Sequence, residues 1–253
     1  MVKIFVMVDM EGISGIINRE QVRSDSKDYE EGRRMLVADV NACVNGCFDG
    51  GADSVTVRDA HGTGRNFIWD MLDSRADYII GSTGIHRGNW RMPGVEEADG
   101  LILIGYHAMS ETPEAVLAHT WSLDDWKEFK INGRTSGEAA MEMCWSAEYG
   151  VPVIMISGDD KTCVEAETFV PGIIKAQVKQ SFTQSGARLL SPKNAHELIR
   201  VKTIEAIRNH KNIKPIIIEK PVELSLELRN NPIPYIAKGK DFREAFTKLL
   251  GGE

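Results

Sequence analysis

Val2-Lys3-Ile4-Phe5-Val6-Met7-Val8 runs directly into Asp9-Met10-Glu11-Gly12. The first segment is an apolar stretch of strand length, interrupted only by Lys3, and it stops at two carboxylates. Residues two apart on extended backbone project to the same side, so Asp9 and Glu11 can face one cation together. Without a cation, neighbouring carboxylates repel and one of them tends to hold a proton. A buried strand that ends in paired carboxylates therefore predicts an α/β sheet with a metal site at its C-terminal edge.

Downstream the pattern alternates strand and helix, as layered α/β folds do. Met35, Val40, Val44 and Cys47 recur at helical spacing and predict a helix over about Asp28 to Asp49, stopped by Gly50-Gly51. Strands are expected at Ile4–Val8, Ser54–Val57, Tyr78–Ile80, Gly100–Ile104 and Val151–Ile156. Gly100–Ile104 is apolar enough for a buried parallel strand. Val116–His119 and Lys127–Ile131 read as further strands, with a turn at Asn132-Gly133. A helix follows from about Ser136 to Tyr149. Beyond Val170 the expected elements are a short strand at Ile173–Val178, a helix from about Pro192 to Asn209, β runs at Lys214–Ile218 and Val222–Leu228, and a helix from about Asp241 to Leu250. The expected architecture is α/β: a mostly parallel sheet flanked by helices, with a metal-binding core over residues 1–170. Residues 171–253 form a smaller C-terminal α+β subdomain packed on that core as one structural unit.

Composition narrows the function. With 253 residues, 42% hydrophobic and 26% charged, the chain can bury a full core. A net charge of −7 argues against a nucleic-acid partner, which normally meets a basic face. No apolar run reaches the roughly 18 residues of a membrane span, and Asp9 and Glu11 stand where a signal peptide would continue its apolar region. Cys43, Cys47, Cys144 and Cys163 form no CxxC pair and read as core thiols. The expectation is a cytoplasmic protein.

Four apolar strands end in polar residues able to bind metal: Asp9/Glu11, Asp59/His61, His107 and Asp159/Asp160. Ligands of open α/β sheets bind beyond the carboxyl ends of the strands, so these ends are expected to assemble one site. Histidine with carboxylate and without thiolate suits a catalytic zinc or similar divalent ion. Glu138 follows Gly137 in the first turn of a helix, where the macrodipole favours a carboxylate; from spacing alone, an ordinary first-turn residue is the simpler account. His119 ends an apolar run and has the side chain suited to proton transfer, although alone it reads as a core histidine bonded to backbone. Asp159-Asp160 reads better as a helix cap than as a ligand pair. His86, His196 and His210 read as surface residues. No phosphate-binding glycine motif is present, and no basic cluster is evident at the strand ends.

Taken together, Val8-Asp9-Met10-Glu11-Gly12-Ile13-Ser14-Gly15, Asp59-Ala60-His61, Gly105-Tyr106-His107-Ala108, Ala118-His119-Thr120 and Ile131-Asn132-Gly133-Arg134 with Gly137-Glu138 resemble the zinc D-aminopeptidases of the dipeptide-transport type. Ser157-Gly158-Asp159-Asp160, Val178-Lys179-Gln180 and Leu190-Ser191-Pro192 extend the resemblance into the C-terminal third. Loop His86–Pro93 carries no assignable counterpart, and the chain after Leu228 is compact. The resemblance implies two zinc ions per subunit, with Asp9 bridging both, His61 and His107 on one, and Glu11 and Glu138 on the other. It further implies His119 as the catalytic histidine, a small peptide substrate with an N-terminal D-amino acid, and a homo-oligomer, a decamer in the family. Alternatives are a dinuclear hydrolase of another amide or a phosphoester, and a non-catalytic metal-dependent peptide-binding protein.

Overall fold

Strands without charged side chains on either face can be stable only when both faces are covered, and the chain follows that rule. The computed structural model describes residues 1–84 and 89–251; His86, with the first part of loop His86–Pro93, lies outside them. Seven strands form the main sheet: β1 (Lys3–Val8), β2 (Ser54–Asp59), β3 (Asp77–Ile79), β4 (Gly100–Tyr106), β7 (Val153–Asp159), β8 (Ile174–Thr183) and β9 (Gly186–Leu189), in the order β3-β2-β1-β4-β7-β8-β9. All neighbours are parallel except β9, which returns antiparallel on β8.

The order reverses at β1. The chain first moves outward through β2 and β3, then returns to the other side of β1 with β4 and continues through β7 and β8. Loops leaving β1 and β4 therefore diverge and open a crevice at their carboxyl ends, where Asp9 and His107 stand. Helices α1 (Tyr29–Gly50) and α4 (Pro192–Asn209) pack against each other on one face of the sheet; α2 (Glu138–Ala147) and α3 (Asp160–Phe169) cover the other. Helix α1 ends at Gly51 in the left-handed region, φ 102°, with the Gly51 and Ala52 N–H groups turned back to Phe48 and Cys47. Cys43 and Cys47 are buried thiols in its core stripe.

A second, antiparallel sheet is built from β5 (Trp126–Ile131), β6 (Arg134–Thr135), β10 (Val222–Leu228) and β11 (Asn231–Gly239), in the order β11-β10-β5-β6, and α5 (Phe242–Leu249) packs on it. Residues 171–251 are thus threaded through both layers. Their first strands complete the main sheet, and β10 and β11 complete the sheet that β5 begins. No described helix is long and apolar enough to cross a membrane.

Two local expectations differ from the structure, and a third stretch, with no element expected, forms a strand. Val116–His119 is not a strand: Glu114 and Leu117 take positive φ (52° and 51°), and the segment docks through single bonds, Val116 N to Ser181 Oγ and Leu117 N to Gln184 O. Its apolar side chains are buried in a loop, not on a ladder. Lys214–Ile218 is irregular, because Pro215 removes a donor. The Pro-rich stretch after Leu228 forms β11, at the sheet edge where Pro232 and Pro234 are tolerated.

The turn after β1 lies flat on the end of β4. Gly12 donates its N–H to the Gly105 carbonyl at 2.8 Å, and a Cβ at Gly12 would stand 1.8 Å from the Tyr106 carbonyl oxygen. Gly12→Ala is therefore expected to lower unfolding free energy by about 3 kcal/mol in urea titrations; unchanged stability would contradict this packing.

Candidate metal centre

Each strand end delivers its side chain to the crevice by a different local device. Asp9 follows β1 directly, its Oδ1 accepting the Met10 N–H at 2.8 Å. Asp59, the last residue of β2, is not aimed at the site. Its carboxylate accepts Asn66 N (2.6 Å), Asn66 Nδ2 (2.8 Å) and His61 N (3.3 Å), and so folds the loop that carries His61. His107 follows β4, and Glu138 opens α2. Asp159 caps α3 by accepting the Thr162 N–H at 2.8 Å, and Asp160 accepts the Ser181 N–H, so this pair stays out of the site.

The chain brings Asp9, Glu11, His61, His107, His119 and Glu138 together. His61 Nδ1 lies 3.0 Å from Asp9 Oδ1 and 3.2 Å from Glu11 Oε2. His107 Nε2 lies 3.4 Å from Asp9 Oδ2 and 3.3 Å from Glu138 Oε1, and His119 Nε2 lies 3.6 Å from Glu138 Oε1. Grouped by distance, the ligand atoms form one triad of Asp9, Glu11 and His61 and another of His107, His119 and Glu138. That division crosses the pairing implied by the family resemblance. Asp9 touches both triads.

The histidine tautomers follow from their other ring nitrogens. His61 Nε2 lies 3.0 Å from the Val22 carbonyl, His107 Nδ1 3.0 Å from the Ala108 carbonyl, and His119 Nδ1 2.8 Å from the Leu117 carbonyl. A carbonyl accepts only, so each of these nitrogens carries the proton. Each remaining nitrogen faces carboxylate oxygens, an arrangement met by a second ring proton in the absence of metal and suited to a shared cation when one is bound. His107 Nε2 and Glu11 Oε2 are buried without a hydrogen-bond partner among the described residues. Burial disfavours charge on His61 and His107, yet Glu11, Asp9 and Glu138 outweigh it and push both imidazoles well above their ordinary pKa. Burial would also raise Asp9, but His107 and His61 hold it well below the carboxylate range. The donor set of carboxylates and imidazoles fits divalent zinc. A cavity of about 300 Å³, lined in part by Glu11, Arg19, His61, Leu117 and His119, opens on the cluster.

Three supports lie behind the ligands. Trp121, at φ 60°, donates its N–H to Glu138 Oε1 at 2.8 Å. Glu165 on α3 accepts the Met109 N–H at 2.8 Å, just beyond His107, and burial raises its pKa to about 7. Lys179 on β8 is 2% exposed, and its ammonium donates to the carbonyls of Glu11 (2.6 Å), Ile13 (3.0 Å) and Ile16 (2.7 Å). The loop bearing Glu11 is thereby pinned from below, and Ser14 pins it again through two bonds to buried Asp39 (2.8 and 2.6 Å). In the sequence, Lys179 stands out only as part of a motif. A register shift in the β7–β8 pairing turns it inward beside Val178.

Removing the ammonium in Lys179→Met is expected to weaken zinc binding by about tenfold or more, measured by chelator competition; unchanged affinity would deny the loop-pinning role. Glu165 binds its proton more tightly folded than unfolded, so it contributes stability that is complete below its ordinary 4.5 and lost as pH rises through about 7. In Glu165→Gln the fall in urea stability between pH 4.5 and pH 8 is expected to shrink by about 3 kcal/mol.

The sequence profile of the D-aminopeptidase family matches residues 2–242. A D-aminopeptidase of Bacillus subtilis (strain 168) is 34% identical over 229 residues, covering 90% of this chain and 82% of that protein. The solved structure of the Zn-dependent D-aminopeptidase DppA from Bacillus subtilis, described as a self-compartmentalizing protease, superposes with a TM-score of 0.93 at 30% identity, covering 99% of this chain and 96% of that one. The chain belongs to the D-aminopeptidase family.

Proposed function

We propose that this protein is a zinc aminopeptidase that holds two ions per subunit and releases N-terminal D-residues from short peptides. The observation that supports it most is the pair of triads joined at Asp9, with three imidazole nitrogens and three carboxylates facing inward. Asp9, Glu11 and His61 would hold one ion, and His107 with Glu138 the other, Asp9 being shared. Bound there, zinc would polarise the scissile carbonyl and make a water nucleophilic near neutral pH.

The chain's own groups handle the proton and the geometry. His119 keeps its N–H on the Leu117 carbonyl, so Nε2 is the free base, at the wall of the 300 Å³ cavity and 3.6 Å from Glu138. It is placed to take a proton from the attacking water and return it to the leaving amine. Its ring stacks on His107 at 4.0 Å with 7° between planes, which fixes its orientation. Trp121 N–H holds Glu138 from the opposite side.

The relative described as self-compartmentalizing supports a homo-oligomer for this chain as well, a decamer by family resemblance. Four free, buried cysteines accord with a reducing cytoplasm.

His119→Ala is expected to lower kcat on D-Ala-D-Ala by about 10²–10⁴ while zinc content stays at two per subunit. Full activity in that variant would remove His119 from catalysis, and fewer than two zinc ions in the loaded parent protein would overturn the dinuclear reading.

A further inference from the structure

A second cavity, about 560 Å³ in volume, adjoins the metal cluster between the loops that follow β2 and β3. Its wall is shared with the cluster. Ala60 lines it and precedes His61; Trp121 lines it and holds Glu138 through its N–H. Three arginines, Arg58, Arg65 and Arg91, come together in this lining. Arg58 stands near the end of β2 and Arg65 follows seven residues later, and Arg91 joins them from the chain beyond β3.

Two charges in this wall are already matched. Asp59, its acidic residue, is taken up by Asn66 and the His61 N–H. Arg91 is paired with Glu142 (Nε at 2.9 Å) and lies over the Trp121 ring at 5.1 Å. Arg58 is not matched. It is 6% exposed, its Nη2 donates to Thr83 Oγ1 at 3.2 Å, and its Nε and Nη1 are buried without a partner among the described residues. Burial and the nearby charge of Arg91 push its pKa down against the weaker pull of Glu142 and Asp59, neither of which bonds to it. A buried guanidinium with idle donors is costly unless an anion meets it. Arg65, exposed at the rim of the same cavity, adds a second cationic head.

Resting on the aminopeptidase reading, we propose that this cavity is a carboxylate subsite in which Arg58 and Arg65 receive the C-terminal carboxylate of a very short peptide. In a dipeptide the leaving group is a free amino acid, and its carboxylate lies within one residue length, about 3.5 Å, of the bond being cut. The cavity wall meets the cluster at two points, Ala60 next to His61 and Trp121 bonded to Glu138, which puts an anion site beside the ligands. Guanidinium and carboxylate make the charge-assisted, forked pairing that a neutral C-terminal amide cannot reproduce. The subsite selects dipeptides by their terminal charge and disfavours blocked ones.

The test separates binding from turnover. Zinc-loaded His119→Ala protein is titrated calorimetrically with D-Ala-D-Ala and with the C-terminal amide of the same dipeptide. The acid is expected to bind about tenfold tighter than the amide. That preference should vanish on adding Arg58→Met and shrink on adding Arg65→Gln, with zinc content unchanged. Equal affinity for acid and amide, no binding of either, or a preference that survives both arginine changes would overturn the proposal; the last would mean that the carboxylate is held by zinc. If Arg58→Met does not fold, the exposed Arg65→Gln variant decides. Failure of the peptidase reading looks different: zinc-loaded parent protein hydrolyses neither peptide while the preference in binding stands.

Discussion

Three carboxylates and three imidazoles converge in one buried crevice, and the opposed charges they set within 3.0–3.6 Å of one another govern it. Three histidines turn one ring nitrogen toward Asp9, Glu11 and Glu138 because the other is committed to a backbone carbonyl. Buried opposed charges of this kind depend on exact placement, so the fold holds the cluster rigidly from outside. It does so with a buried ammonium under the Glu11 loop, a main-chain N–H on Glu138, and Asp59 folding the loop of His61.

The topology explains how residues from 9 to 138 meet. β1 and β4 are neighbours at the reversal point of the sheet, β2 lies on the other side of β1, and α2 opens onto the same edge. None of these positions depends on a long flexible loop. The second sheet and α5 instead stack Trp121, Trp126, Phe129 and Phe246 into an aromatic layer beside the site, with Trp121 and Trp126 rings 5.9 Å apart.

Much of this was legible in the sequence. Period and apolar content located β1, β4, β7, α1 and α4 closely, since long buried elements leave strong patterns. Asp9, Glu11, His61 and His107 could be read from strand ends alone, whereas Glu138 and His119 gained a role only through the family resemblance. What escaped was set by tertiary context. Val116–His119 has strand composition but binds the β8–β9 hairpin with isolated hydrogen bonds. β11 forms in spite of two prolines because one of its edges is unpaired. Lys179 and Arg58 look like ordinary polar positions in strands, and only the register and the covering layers bury them.

Val22, Ala108 and Leu117 act on the histidines solely through carbonyl oxygens. Every amino acid supplies that group, so evolution is free to exchange these three residues wherever backbone path and local volume are kept. The orientation of the imidazoles is thus inherited as a shape of the main chain, and relatives can diverge at these sites without leaving any trace of what they do.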